Sequence, residues 1–359
     1  MSKVVRGHRL KVLETFLTVQ ISDNENTPTS ADLARQLGVS RASVSYALNG
    51  KPGVSPTLRK KIITSALEMG LIEKADVATP TGSIGMILAD VGNPFYADIA
   101  KAATAAARKH SVELVLSHSE DDPTSIAKAA RNMVRIGVKG IILTTLNIGE
   151  GELIREMRKE HTPLVLLSRR MPQLEDIPFD GIDDFHAGYE LMRHVVDHGY
   201  SDIAIATGGF SSYATSQRIR GFLAAAYESG IEIPKASVMS TKLNRLGGDI
   251  AAEYLLDRGR LPQVVVCGAD AIATGLINRL SLAGVTVPKD IAIVGFDGIA
   301  GTESPFLDLT TIVQPTAEMA QGSIEKILKL AVGGKVDNPI SIHKHRLHIG
   351  SSCGEHLSG

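Results

Sequence analysis

From Ser83 onward the apolar positions fall in short β-rich runs, SIGMILADV, VELVLSHS, KGIILTTL, PLVLLSR, DIAIAT, QVVVCGAD and DIAIVGFD, separated by segments of helical period. Near-continuous apolar runs of this kind mark strands buried on both faces, and their alternation with helices predicts an α/β body of parallel sheets covered on both sides. Alanine-rich Ala97 to Ala107 and Ala224 to Tyr227 supply the helical cover. The runs lie on either side of residues 181–201, which predicts two similar lobes rather than one wide sheet. Lobe 1 takes about 83–182 and 315–340, and lobe 2 about 183–311 and 341–352. Ligands of open α/β sheets sit beyond the carboxyl ends of the strands. The residues there are Asp90, Asn93, Phe95 and Tyr96, then Ser168, Arg169 and Arg170, with Arg218 at a helix start, Asp270 after QVVVCGA and Gln314 after TTIV.

Ahead of this body the pattern changes. Thr29 to Asn49 reads as two short helices around a tight turn: Thr29 caps the first, Asp32 stands three residues on as a capping acid, and Leu33, Ala34 and Leu37 face inward. Gly38 suits a left-handed helix end, and Ser40 caps the second helix. Ser55-Pro56 opens a third amphipathic helix that runs to Gly70. Ala34, Gly38 and Val44 satisfy the small, positive-φ and apolar positions of a helix-turn-helix. Thr29, Ser40, Ser43 and Asn49 carry short polar groups suited to phosphates at helix ends, and Lys51 adds charge. A stripe of Leu10, Leu13 and Leu17, flanked by Val12, Phe16 and Val19, predicts an extra helix packed on this head. The domains are therefore 1–72 for the head, 73–82 for a flexible link through Thr79-Pro80-Thr81-Gly82, and 83–359 for the two-lobed body.

Charge sharpens the division. The overall balance is -1, yet residues 1–75 hold 11 Lys/Arg against 6 Asp/Glu and the remainder 27 against 33, so a basic head precedes an acidic body. That asymmetry points to a polyanion partner for the head. No run of about 18–20 apolar residues exists, so no membrane span is expected. Glu14 interrupts the basic-then-apolar stretch that starts at Lys3, which argues against an export signal and for the cytoplasm. The two cysteines, Cys267 and Cys353, stand far apart in no metal-ligand spacing; neither a disulfide nor a metal site is expected, and both are taken as inert thiols.

Gly38-Val39-Ser40, Val44-Ser45, Leu48-Asn49-Gly50 and Pro52-Gly53-Val54-Ser55 together resemble the head of the lactose/galactose repressor (LacI/GalR) family. The likeness extends to about Ser352 through Asn93-Pro94-Phe95-Tyr96, Arg218-Ile219-Arg220-Gly221, Gly268-Ala269-Asp270, Val294-Gly295-Phe296-Asp297 and Thr310-Thr311-Ile312-Val313-Gln314. The resemblance implies a sensor like a periplasmic sugar-binding protein. It places Arg41, Ala42 and Tyr46 where the family reads base edges, Arg218 and Asp270 on effector hydroxyls, and Phe95 and Tyr96 along the cleft. It further implies a homodimer on a double-stranded operator, with Ala97–Lys109 and Ala271–Ala283 as interface faces. Departures exist: the linker lacks the family's hinge leucine, Ser168 replaces an aspartate, Leu243 an aromatic residue, and Gly298 an acid.

The expected function is a DNA-binding transcriptional regulator, a repressor by family weight, responding to a small polar effector such as a sugar or nucleoside and needing no other cofactor. An α/β enzyme is the rival class, but no G-x-G-x-x-G after a strand, Walker A, G-x-S-x-G or H-E-x-x-H motif occurs. A plain solute-binding protein would lack the head.

Overall fold

The computed structural model describes residues 28–48, 53–71, 82–146, 151–210 and 212–354. The chain forms two compact units, residues 1–81 and 82–359. The predicted extra helix, Asn49, Lys51 and most of the link lie outside the described residues.

The first unit holds α1 (Ser30–Leu37), α2 (Arg41–Leu48) and α3 (Pro56–Glu68) around a core of Leu33, Ala34, Val44, Ala47, Ile62 and Ala66. The predicted capping box at α1 is complete: the Asp32 amide donates to Thr29 Oγ1 at 3.3 Å and the Thr29 amide to Asp32 Oδ2 at 3.0 Å. Gly38 ends the helix at φ 67°, as the turn requires. Arg59 of α3 donates to the carbonyls of Tyr46 and Ala47, satisfying orphan acceptors at the end of α2.

The second unit is built on two six-stranded sheets. Sheet A contains β1 (Ile84–Leu88), β2 (Leu114–His118), β3 (Ile141–Leu143), β4 (Leu164–Leu167), β5 (Phe179–Gly181) and β11 (Ile340–Ile342), in the order β11-β5-β4-β3-β1-β2 and all parallel. Sheet B contains β6 (Ile203–Thr207), β7 (Val238–Ser240), β8 (Val264–Cys267), β9 (Ala292–Asp297), β10 (Thr310–Val313) and β12 (Arg346–His348), in the order β12-β10-β9-β8-β6-β7. Its strands are parallel except β12, which runs antiparallel to β10. The first five strands of each sheet share one winding, so the two lobes repeat a topology. In both, strand order reverses beside the first strand, the point at which doubly wound sheets open a crevice.

Helices cover both faces: α4 (Pro94–Lys109), α5 (Pro123–Ile136), α6 (Gly151–Lys159) and α11 (Thr316–Ala331) on sheet A, and α7 (Asp184–Asp197), α8 (Tyr213–Glu228), α9 (Arg245–Asp257) and α10 (Asp270–Leu282) on sheet B. Two helix pairs meet backbone to backbone. A Cβ on Gly188 of α7 would lie 2.4 Å from the Arg218 carbonyl, and one on Gly221 of α8 would lie 2.1 Å from the Phe185 carbonyl. Gly248 of α9 and Gly275 of α10 repeat the arrangement. Sheet A holds α11 through a buried ion pair: Lys326 Nζ lies 2.8 Å from Asp180 Oδ2, with Ser323 and His343 on the same carboxylate.

The chain passes between sheets three times: at 182–183 from β5 to α7, at 314–315 from β10 to α11, and at 343–345 from β11 to β12. Substituting Gly221→Ala should cost about 1–3 kcal/mol, because the new methyl meets backbone rather than a movable side chain. Urea unfolding of the full chain measures it, and an unchanged midpoint would contradict the close crossing.

Candidate functional site

Two surfaces carry candidate chemistry, one on each unit. On the head, Val44 and Ala47 turn α2 toward the core, which leaves Arg41, Ala42, Ser45 and Tyr46 exposed together on the opposite face. The Ser43 amide donates to Ser40 Oγ at 3.0 Å, so Ser40 caps the helix. Ser40 and Ser43 hydroxyls also meet at 2.9 Å. The Thr29 hydroxyl is engaged within the capping box. Arg41, Ala42 and Tyr46, which the resemblance expects at base edges, therefore lie on one accessible face with a capped leading end.

On the body, a cleft of about 460 Å3 lies between the two sheets, lined by residues that follow strands. Asp90 comes after β1, Glu120 and Asp121 after β2 and Arg169 after β4; from sheet B come Gly208, Gly209, Ser212 and Thr215 beyond β6, and Thr241 to Asn244 beyond β7. Tyr96 of α4 adds an aromatic wall. Arg169 donates to Asp121 Oδ1 at 2.7 Å and lies over the Tyr96 ring at 5.7 Å. Burial pushes the Tyr96 phenol up to about 12, so it meets the cleft as a neutral hydroxyl. Asn244 caps α9 by accepting from the Gly247 amide at 3.0 Å, and its Nδ2 reaches across to Asp90 Oδ2 at 3.4 Å. Asp90 is itself fixed by the Gly92 amide at 2.7 Å. At the end of β6 the Thr207 hydroxyl is buried and finds no hydrogen-bond partner among the described residues.

The structure places the effector residues named from sequence in two groups. Tyr96 lines the cleft. Asn93, Phe95, Ser168, Arg218, Asp270 and Gln314 do not; all six are buried, and Asn93, Arg218, Asp270 and Gln314 bond to protein through their side chains. Asn93 Oδ1 accepts from the Phe95 amide and caps α4, while Phe95 joins the core edge-on to Tyr96. Ser168, held at φ 69°, faces a smaller cavity with Arg170 and Tyr213. Arg218 donates to Asp184 Oδ1 at 2.8 and 3.3 Å and to the Gly268 carbonyl at 2.5 Å, and its guanidinium sits 3.6 Å over the Phe296 ring. Asp270 accepts from the Gly298 amide, the Ile299 amide and Thr311 Oγ1 at 2.7, 3.0 and 2.6 Å. Gln314 Nε2 donates to Asp297 Oδ1 at 2.8 Å. In this conformation the polar atoms of Arg218 and Asp270, which the resemblance expects on effector hydroxyls, are bonded within the protein. Glu120 and Asp121 were missed although they follow the second run as Asp90 follows the first. Leu243, expected only as the replacement of an aromatic residue, does line the cleft; Thr241, Lys242 and Asn244 leave no signal because β7 is three residues long and has no apolar run.

The floor has unusual acid chemistry. Burial pushes the Asp297 carboxyl up to about 8, against the lowering effect of Arg218 at 3.5 Å, and burial lifts Asp270 to about 6. Folded Asp297 keeps its proton to about pH 8, whereas the unfolded group loses it near 3.8. The folded chain therefore binds more protons within that window, and stability falls as pH rises through it. Asp297→Asn, which can retain the φ of 122°, should flatten the decline in urea-derived stability between about pH 5 and 8; an unaltered slope would assign the effect elsewhere.

The family "Periplasmic binding proteins and sugar binding domain of LacI family" matches residues 81–331. Catabolite control protein A of Priestia megaterium is 28% identical over 329 residues, spanning 90% of this chain and 98% of its own. The HTH-type transcriptional regulator DegA of Bacillus subtilis is 30% identical over 299 residues, spanning 81% and 88%. Among solved structures, a putative LacI transcriptional regulator from Bacillus cereus subsp. cytotoxis superposes with a TM-score of 0.70 at 22% identity, over 77% of this chain and 99% of that one. A CelR–cellobiose complex gives 0.66 at 22% identity, over 90% and 99%. These relatives are named as regulators rather than enzymes, and among the described residues no helix is long and apolar enough to cross a membrane. With a family match over most of its length, a helix-turn-helix head and two repeated lobes around a strand-end cleft, the chain belongs to the LacI family of transcriptional regulators.

Proposed function

We propose that this regulator is a cytoplasmic homodimeric repressor that reads its operator with the exposed face of α2 and releases or grips it according to a small polyhydroxylated ligand in the cleft. The observation that carries the reading is the cleft wall itself. Carboxylates at 90, 120 and 121 and cations at 169 and 242 are interleaved with the hydroxyls of Ser212, Thr215 and Thr241. Such a wall suits a ligand rich in hydroxyl groups, because paired donors and acceptors reject analogues that leave them unmatched. The volume lies within the range of about 300–1,000 Å3 usual for small-molecule sites. One solved neighbour carries cellobiose and another ribose, both consistent with this class. Among the described residues one aromatic ring lines the cleft, so hydrogen bonding rather than stacking dominates.

The ligand would act by its differential affinity for open and closed lobes, across which Asp90 and Asn244 form a direct bond. The homodimer is supported by Leu246, Ile250 and Tyr254, which repeat every four residues and stand exposed along α9, and by exposed Leu282 at the end of α10. The faces expected from resemblance, on α4 and α10, include that last residue.

A thermal-shift screen of sugars, nucleosides and polyols should raise the melting temperature with one class. Arg169→Ala should abolish the shift; a shift that survives would move the site elsewhere. For the head, Arg41→Ala should cost about 1–3 kcal/mol on an operator recovered by selection, and much less on random duplex. Equal losses on both would remove Arg41 from base reading. Binding should weaken steeply with salt through counterion release, and sedimentation should show two chains per operator, a bound monomer overturning the dimer.

A further inference from the structure

The expectation of no metal site rested on cysteine spacing along the chain. In the folded chain, Cys353 lies against His194 and His198, 159 and 155 residues away, at the C-terminal end of α7. Cys353 Sγ is 3.4 Å from His194 Nε2 and 3.7 Å from His198 Nε2, and all three ligand atoms lie within 4.8 Å of one another. We propose that His194, His198 and Cys353 form a zinc(II) site that fastens α7 to the C-terminal segment.

Four features carry the assignment. First, zinc bound tetrahedrally through sulfur at about 2.3 Å and nitrogen at about 2.0–2.1 Å requires a sulfur-to-nitrogen separation of about 3.6 Å. The two separations bracket that value, so an ion fits between the groups after small side-chain movement. Second, the tautomer of His198 is set. Its Nδ1 lies 2.9 Å from the His194 carbonyl, which can only accept, so Nδ1 carries the hydrogen and Nε2 presents its lone pair toward the sulfur. A metal-binding imidazole is commonly oriented by such a bond from its other nitrogen.

Third, the cysteine is held in place before any ion arrives. It ends a 3-10 turn, Ser351–Cys353. Ser352 Oγ accepts from the Thr310 amide at 2.9 Å and donates to the Ile293 carbonyl at 2.6 Å, while the Ser351 amide donates to Asp308 at 2.8 Å. Tyr200, whose ring lies parallel to that of His198 at 6.2 Å, donates its hydroxyl to the Cys353 carbonyl at 2.8 Å. Fourth, access exists: His198 and Cys353 are buried, but His194 is partly exposed. An ion could enter on that side and keep a water as its fourth ligand, and the thiol would release its proton to solvent on binding. Cys267, sealed within β8, is no competing thiolate.

The test uses the untagged full chain, stripped with a chelator and titrated with zinc against a chromophoric chelator. One equivalent should bind, and cobalt(II) in its place should show a thiolate charge-transfer band. Cys353→Ser should abolish that band and weaken zinc by about 100-fold or more, beyond the 10–100-fold typical of outer-shell changes. Circular dichroism reports whether each variant folds. His194→Gln, at a partly exposed helix position, should weaken binding by about 10-fold or more and decides the matter if Cys353→Ser does not fold. Failure of the wild-type chain to bind an equivalent, or binding unchanged in the variants, overturns the site and leaves an S–H···N contact. Neither result touches operator or cleft-ligand binding.

Discussion

The seating of two lobe crossings on sheet B depends on one buried cation, Arg218. Arg218 ties the first turn of α7, through Asp184, to the carbonyl of Gly268 after β8 and to Asp297 at the end of β9. Asp184 is where the chain has just crossed from sheet A, and Asp297 accepts from Gln314, which starts the second crossing. A single guanidinium therefore fixes both crossings against sheet B. Removing it would take the donor away from the buried Asp184 carboxyl and the Gly268 carbonyl, the costly way to break such a network. Burial raises the carboxyls of Asp184 and Asp297, the latter to about 8, so neutral pH leaves Asp297 largely protonated. That avoids concentrating several anions around one cation in a dry interior.

The same network explains why strand-end polar residues divide into floor and wall. Asp270 begins α10 and spends its carboxylate on the backbone amides of Gly298 and Ile299, setting the turn after β9. A Cβ at position 295 would lie 2.1 Å from Asp270 Oδ1, so Gly295 is required for the carboxylate to sit there.

Much of the fold was legible because it depends on periodicity. Buried parallel strands leave continuous apolar runs, and the seven runs named from sequence became β1 to β4, β6, β8 and β9. The helix-turn-helix was legible through caps, since Thr29, Asp32, Gly38 and Ser40 act locally. What escaped was set by distance in sequence. The short edge strands β7, β11 and β12 have three residues each, too few for a pattern. Strand-end position alone also could not tell a floor residue from a wall residue: Arg218 and Asp270 satisfy it as well as Asp90 does, and only the location of their partners, Asp184 and the turn at 298–299, separates them. Cys353 reads as inert for the same reason, its histidine neighbours lying more than 150 residues earlier in the chain.

The cleft shows how a local helix signal can acquire a role in lobe motion. Asn244 is an N-cap, a residue type chosen by the orphan amides of α9, and capping fixes its oxygen on the Gly247 amide. Fixing the oxygen also aims the amide nitrogen, which lands on Asp90 of the opposite lobe. Asp90 in turn is oriented by the turn it makes with Gly92. Neither side chain needs further ordering to meet the other, so little conformational entropy is lost when the lobes come together. A hydroxyl group of a bound molecule could take the place of either partner with the geometry already set. Local caps and turns, each satisfying its own backbone, thereby leave preoriented groups on both sides of the opening.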